Sequence, residues 1–206
     1  MLYGLELEMF YYKDGKVTIP PINLPLDGCG AIVELRSSPC STIFEASGEI
    51  HADLLKYNAS NVKLGCYGLP EANRHKFTQE EYRLAMKQSN KDNYINIQNI
   101  YNKKRRLLPR TTVAVSLQLN ISNLLAKEYN DKHGTFHNAQ YGLLDVYQIV
   151  KKLDKEFHKE ILQAKRQPGE YAIKDKVRLE YRSLPAGIFF NNNFEGRVQK
   201  VMNSID

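Results

Sequence analysis

Ser116-Leu117-Gln118-Leu119-Asn120-Ile121-Ser122 changes character at every residue. Leu117, Leu119 and Ile121 fall on one side of an extended chain and Ser116, Gln118, Asn120 and Ser122 on the other, because successive side chains of a strand point to opposite faces. Residues 111–122 therefore read as a strand with one apolar and one polar face. The same spacing of two recurs in Glu6 with Glu8, in Glu34 with Arg36, and in Arg178 with Glu180 and Arg182. Four such strands predict a sheet that turns one face to a core and the other to water.

Other elements follow from period and punctuation. Lys13-Asp14-Gly15-Lys16 is a hairpin turn after a strand over 1–12, and strands are expected over 31–36, 61–67 and 171–184. From 139 to 165, Leu143, Leu144, Tyr147, Val150, Leu153, Phe157, Ile161 and Leu162 recur at steps of three and four, which predicts one long amphipathic helix ended by Gln167-Pro168-Gly169. A helix is expected from Ser47, with Ile50, Leu54, Leu55 and Tyr57 on its apolar face. Another follows the capping box Thr78-Gln79-Glu80-Glu81, and a last one covers 194–205. Residues 19–28 and 185–193 read as loops, and 89–110 as a long connection. No repeat or linker divides the chain, so one domain over 1–206 is expected.

The 206 residues are 42% hydrophobic and 25% charged, which suits a single core and argues against a disordered chain. No apolar run reaches the roughly 18 residues of a membrane span, and Glu6 and Glu8 stand where a signal peptide would be basic and then apolar. Cys29, Cys40 and Cys66 make neither a disulfide framework nor a C-x-x-C site. A cytoplasmic location, the host cytoplasm for a viral chain, is expected. The net charge of +6 suits an anionic partner. The tight basic run Lys103-Lys104-Arg105-Arg106, with Arg110 beyond it, reads first as a solvated loop. Phosphate loops of the G-x-x-x-x-G-K type, dinucleotide fingerprints and H-E-x-x-H are absent, and the five histidines are dispersed. Cys29 between two glycines has no neighbour that would make it a nucleophile.

Carboxylates are disfavoured in strands, and two on one face repel unless a cation compensates them. A hard divalent ion such as Mg2+ or Mn2+ takes oxygen ligands and is commonly held by carboxylates together with substrate phosphates. Arginine beside those carboxylates offers a planar fork that matches phosphate. The polar strand face is thus expected to carry a metal-dependent phosphoryl-transfer site built without a glycine-rich loop.

These residues also carry a family resemblance. Gly4-Leu5-Glu6-Leu7-Glu8 resembles the G-x-E-x-E strand that opens glutamate-cysteine ligases and related amidoligases, often described as phage carboxylate-amine ligases. Asp27-Gly28 with Val33-Glu34-Leu35-Arg36-Ser37-Ser38-Pro39 is similar to their second acidic strand. Ser116-Leu117-Gln118-Leu119-Asn120 is similar to their S-x-Q-x-N or H-x-H strand, and Leu179-Glu180-Tyr181-Arg182-Ser183-Leu184-Pro185 to their late E-[FY]-R strand. The resemblance implies an α+β fold of the glutamine synthetase and guanidino kinase type, an antiparallel curved sheet with helices on its outer face. It implies an ATP-dependent ligase that joins a carboxylate and an amine, small-molecule or peptide, through an acyl phosphate.

By motif match Glu6, Glu8, Glu34, Gln118 and Glu180 would be metal ligands and Arg182 would stabilise the transferring phosphoryl group, with Glu180 and Arg36 beside it. Arg178, Gln118 and Asn120 would join Arg182 in holding the nucleotide. Arg36 and Arg178 read equally well as structural ion pairs. The chain is shorter than the ligases with this pattern, and its third strand has Gln and Asn where many relatives have His. Two alternatives stay open: a nucleic-acid-binding protein using 103–110 and the 13 tyrosines, and a degenerate ligase fold that binds without catalysis. Oligomeric state and the identity of either substrate are not legible.

Overall fold

Alternating burial over twelve residues makes the longest strand, β1 (Leu2–Lys13), with Tyr3, Leu5, Leu7 and Met9 inward and Glu6 and Glu8 on the opposite face. In the computed structural model, which describes residues 1–66, 74–89, 112–122, 137–174 and 178–205, β1 lies inside a seven-stranded antiparallel sheet. It turns into β2 (Lys16–Thr18) through Asp14 and Gly15, both at positive φ (51° and 75°). That is the geometry an Asp-Gly hairpin turn requires. Near its middle β1 pairs with β3 (Val33–Arg36), and near its end with β4 (Lys63–Gly65).

On the other side of β1 comes β7 (Ser116–Ser122), with Leu2 opposite Ser122 and Leu7 opposite Leu117. Then follow β9 (Arg178–Pro185) and the edge strand β8 (Tyr171–Lys174). A separate two-stranded sheet joins β5 (Arg74–Lys76) to β6 (Thr112–Ala114). The stretches expected as single strands over 111–122 and 171–184 are thus each divided in two.

Among the described residues the helices are α1 (Ile43–Ala59), α2 (Gln79–Ser89), α3 (His137–Glu156), α4 (His158–Gln163) and α5 (Phe194–Met202). Ile43, Ala46 and Ile50 of α1, Ile149, Val150 and Leu153 of α3, Phe157, Ile161 of α4, and Phe194, Val198 and Val201 of α5 share one apolar cluster with the inward residues of β1, β3, β7 and β9. The chain is therefore α+β, an antiparallel sheet whose apolar face is covered by helices.

Three differences from the sequence reading have physical causes. The first helix starts at Ile43, not Ser47, because Thr42 caps it: its hydroxyl accepts from Glu45 N–H while the Glu45 carboxylate accepts from Thr42 N–H. Its buried face is correspondingly Ile43, Ala46, Ser47 and Ile50, and Leu55 is exposed. The long helix breaks at Phe157, where Arg197 of α5 donates to the Glu156 carbonyl and carboxylate and to Glu160, and lies 4.3 Å above the Phe157 ring. A side chain inserted at a helix carbonyl is a recognised cause of such breaks. Tyr147 and Leu162, assigned to its apolar face, are exposed. Finally, 186–190 is a 3-10 turn with Ala186, Ile188 and Phe189 buried, not an open loop.

Leu119 is fully buried at the centre of β7, so Leu119→Ala leaves a cavity under the sheet. It is expected to cost about 2–5 kcal/mol, read as a fall in the denaturation midpoint at unchanged slope in urea. A change below about 1 kcal/mol would show that the sheet and helices do not pack as described.

Candidate functional site

The outward parity of four strands brings every residue of the four polar strand motifs to one place. Glu6, Glu8, Glu34, Arg36, Gln118, Asn120, Arg178, Glu180 and Arg182 all line a single open groove of about 730 Å³ on the face away from the helices. Register explains the convergence: Glu6 lies opposite Arg36 on one side and Gln118 on the other, Glu8 opposite Glu34, and Asn120 opposite Glu180. Asp27 and Lys174 also line it. Lys174 escaped the sequence reading because its place depends on the β8–β9 register, which sets it opposite Arg178. Asp27 sits in an irregular loop where no period applies.

Each carboxylate in the groove already has a partner. The Glu8 Oε2 atom accepts from Ser116 N–H at 2.8 Å and from the Ser116 hydroxyl at 2.7 Å, and its Oε1 from the Gln118 amide at 3.0 Å. Glu6 Oε1 accepts from the Asn120 amide at 3.3 Å and lies 3.7 Å from Arg178 Nη1. That arginine nitrogen donates to Asn120 Oδ1 at 2.7 Å, so Asn120 braces Glu6 against Arg178. Arg36 donates to Glu34 at 2.6 Å, and Arg182 holds Glu180 with two of its nitrogens. Lys174 Nζ stands 3.7 Å from the other Glu180 oxygen.

The acids outweigh the bases on the β1–β3 side of the groove and the bases outweigh the acids on the β8–β9 side. Glu34 is 6% exposed, and burial pushes its carboxyl up to about 8, with Glu6 and Glu8 adding to the rise and Arg36 opposing it. Burial also raises Glu8, against the pull of the Ser116 hydroxyl. Crowded, desolvated oxygens of this kind suit a hard divalent cation in donor chemistry. Among the described residues, however, no three His, Cys, Asp or Glu side chains are arranged around a point where an ion would sit. Their arms are turned to Arg36, Ser116, Gln118 and Asn120 instead.

Cys29, His51 and His75 are not among the groove-lining residues. The Cys29 thiol is pushed up to about 12, chiefly by burial and by Asp27, so it is no nucleophile. His51 stacks on Phe189 and His75 packs between Phe10 and Phe77. The basic run 103–106, Arg110 and His133 lie outside the described residues. Among the described residues no helix is long and apolar enough to cross a membrane. No family model, no curated protein and no solved structure matches the chain.

A carboxyl raised from 4.5 toward 8 favours the folded state while it is protonated. Its contribution is complete below pH 4.5 and is lost as the pH climbs to about 8. Glu34→Gln is therefore expected to gain stability relative to the parent protein between pH 5 and pH 8 in denaturant titrations. Parallel pH profiles for the two proteins would contradict the crowding of Glu34 by Glu6 and Glu8.

Proposed function

We propose that this protein is an ATP-dependent carboxylate-amine ligase of the amidoligase type, which forms an amide through an acyl phosphate with Mg2+ or Mn2+. The observation that carries the reading is the convergence of four separate motifs, spread from Glu6 to Arg182, on one groove of one antiparallel sheet. Residues brought together across such distances in the chain, with both signs of charge, suit a site better than a merely solvated face. The helix layer on the opposite side of the sheet also supports a fold of the glutamine synthetase and guanidino kinase type.

When bound, magnesium ATP supplies the phosphoryl group that activates a carboxylate toward an amine. Glu6, Glu8 and Glu34 would hold the metal through hard oxygens once turned from their present partners Asn120, Ser116, Gln118 and Arg36. Glu180 would be a further ligand, and Gln118 would steady Glu8 from the side. Arg182 and Arg178 would neutralise phosphate charge, Arg182 from a partly exposed position beside Glu180. Lys174 extends this basic side toward the sheet edge. A groove of this volume falls within the usual range of small-molecule sites, roughly 300–1,000 Å³.

Thermal unfolding with ATP, with and without Mg2+, tests the reading. A ligand that binds only the folded state adds about 2.7 kcal/mol at a hundredfold excess over its dissociation constant. The expected result is a metal-dependent rise in Tm that disappears in Glu6→Gln/Glu180→Gln. No rise at millimolar magnesium ATP would overturn the reading, and a rise with no ADP formed when amino acids are supplied as carboxylate and amine would leave a nucleotide-binding protein that has lost the reaction.

A further inference from the structure

The strand that carries Arg182 is irregular at that residue. Tyr181 pairs with Leu119 and Leu184 with Leu117, so Gln118 alone on β7 stands opposite both Arg182 and Ser183 on β9. Two residues against one is a β-bulge, which removes backbone groups from the ladder and re-aims a side chain. Burial follows the change of parity, with Leu179 and Tyr181 inward before the bulge and Leu184 inward after it. The backbone groups set free there need other partners.

A single short segment, the connection between α4 and β8, provides them. Arg166 donates from Nη2 to the Arg182 carbonyl at 2.6 Å and from Nε to the Ser183 carbonyl at 3.1 Å. The Arg182 N–H donates to the Glu170 carbonyl at 2.8 Å, and Glu170 N–H to the buried Ser183 hydroxyl at 3.0 Å. The Glu170 carboxylate lies 3.5 Å from Arg166 Nη2 and closes the circuit. Arg166 itself is 13% exposed and does not line the groove. Outside the groove lining, the Arg166 guanidinium feels the charges of Glu170 and Glu8, but its hydrogen bonds to main chain go to two consecutive carbonyls of the bulge.

We infer that Arg166 is a positioning residue, which together with Glu170 clamps the Arg182–Ser183 bulge in the shape that directs Arg182 into the groove beside Glu180. The chemical value of that direction rests on the ligase reading, in which Arg182 meets the transferring phosphoryl group. A planar fork is needed to meet two carbonyls at fixed angles, and the compact ammonium of lysine does not reproduce it. Arg166→Lys therefore keeps the charge and loses the clamp.

The test begins with the ligand-free protein. Because Arg182 Nε donates to Glu180, its Nε–H signal in NMR is expected at a displaced position in the parent protein. In Arg166→Lys it should return toward that of free arginine while core methyl signals stay in place. ADP formation from magnesium ATP, with amino acids supplied as the carboxylate that accepts the phosphoryl group and as the amine, is then measured across a cycle of Arg166→Lys, Arg182→Ala and the double variant. Arg166→Lys should lower kcat on the order of a hundredfold, as misplacement of a reacting group does, and should add nothing in the Arg182→Ala background. An unmoved Arg182 signal or independent, multiplying losses would overturn the positioning role. A parent protein that forms no ADP with any of these acceptors would overturn the ligase reading, and the Arg182 signal would still decide whether Arg166 aims that side chain.

Discussion

Carboxylates crowded onto the central strand have to be compensated by the strands beside it, and much of the architecture around the groove answers that demand. Glu6 and Glu8 project from β1 on the same face, two residues apart, with Glu34 directly opposite Glu8. Left alone, these groups would repel across a few ångströms and lose their hydration as well. Compensation comes from both directions: Ser116, Gln118 and Asn120 on β7, Arg178 on β9, and Arg36 on β3. The register of four strands is thereby tied to charge as well as to the apolar face beneath. A slip of one residue in any of them would bury a carboxylate in the core and expose a leucine.

The sheet was readable because its signal is local. Alternation in Glu6-Leu7-Glu8, in Leu117-Gln118-Leu119-Asn120 and in Arg178-Leu179-Glu180 assigns each side chain to a face with no knowledge of its neighbours, and the structure keeps every one of those assignments. The Asp14-Gly15 turn and the Thr78 capping box were legible for the same reason, since each is a short-range hydrogen-bonding or dihedral requirement. What could not be read depends on contacts far apart in the chain. Nothing near Phe157 announces that Arg197, forty residues later, breaks the helix there. Lys174 enters the groove only through its register with Arg178, and the bulge at Arg182 is invisible until β7 is laid alongside.

The groove and the core share the same strands but respond differently to change. On the helix side, Leu119, Tyr181 and Phe157 are fully enclosed and held by shape. On the groove side the contacts are ionic and hydrogen-bonded, many between residues on separate strands, and half-open to water. Substitution of an inward residue acts on the whole fold, whereas a change such as Arg36 or Lys174 acts on the local field. The Asp154 carboxylate crosses the boundary, accepting from the Tyr181 hydroxyl at 2.6 Å and from Gly169 N–H at 3.0 Å, and so anchors α3 to the turn that leads into β8.

The order of the strands has a consequence for how the chain reaches this state. β1 is synthesised well before β7, yet its longest pairing is with β7, where Leu2 meets Ser122, and β7 in turn waits for β9. Contacts of such wide sequence separation are slow to form, because a long loop must close before any of them is rewarded. Before β7 is made, β1 has the β2 hairpin, β3, β4 and α1 for company, with one edge open and its apolar face only partly covered. The groove is therefore complete only once β9 has been made, and until then β1 keeps an open edge that another chain could pair with.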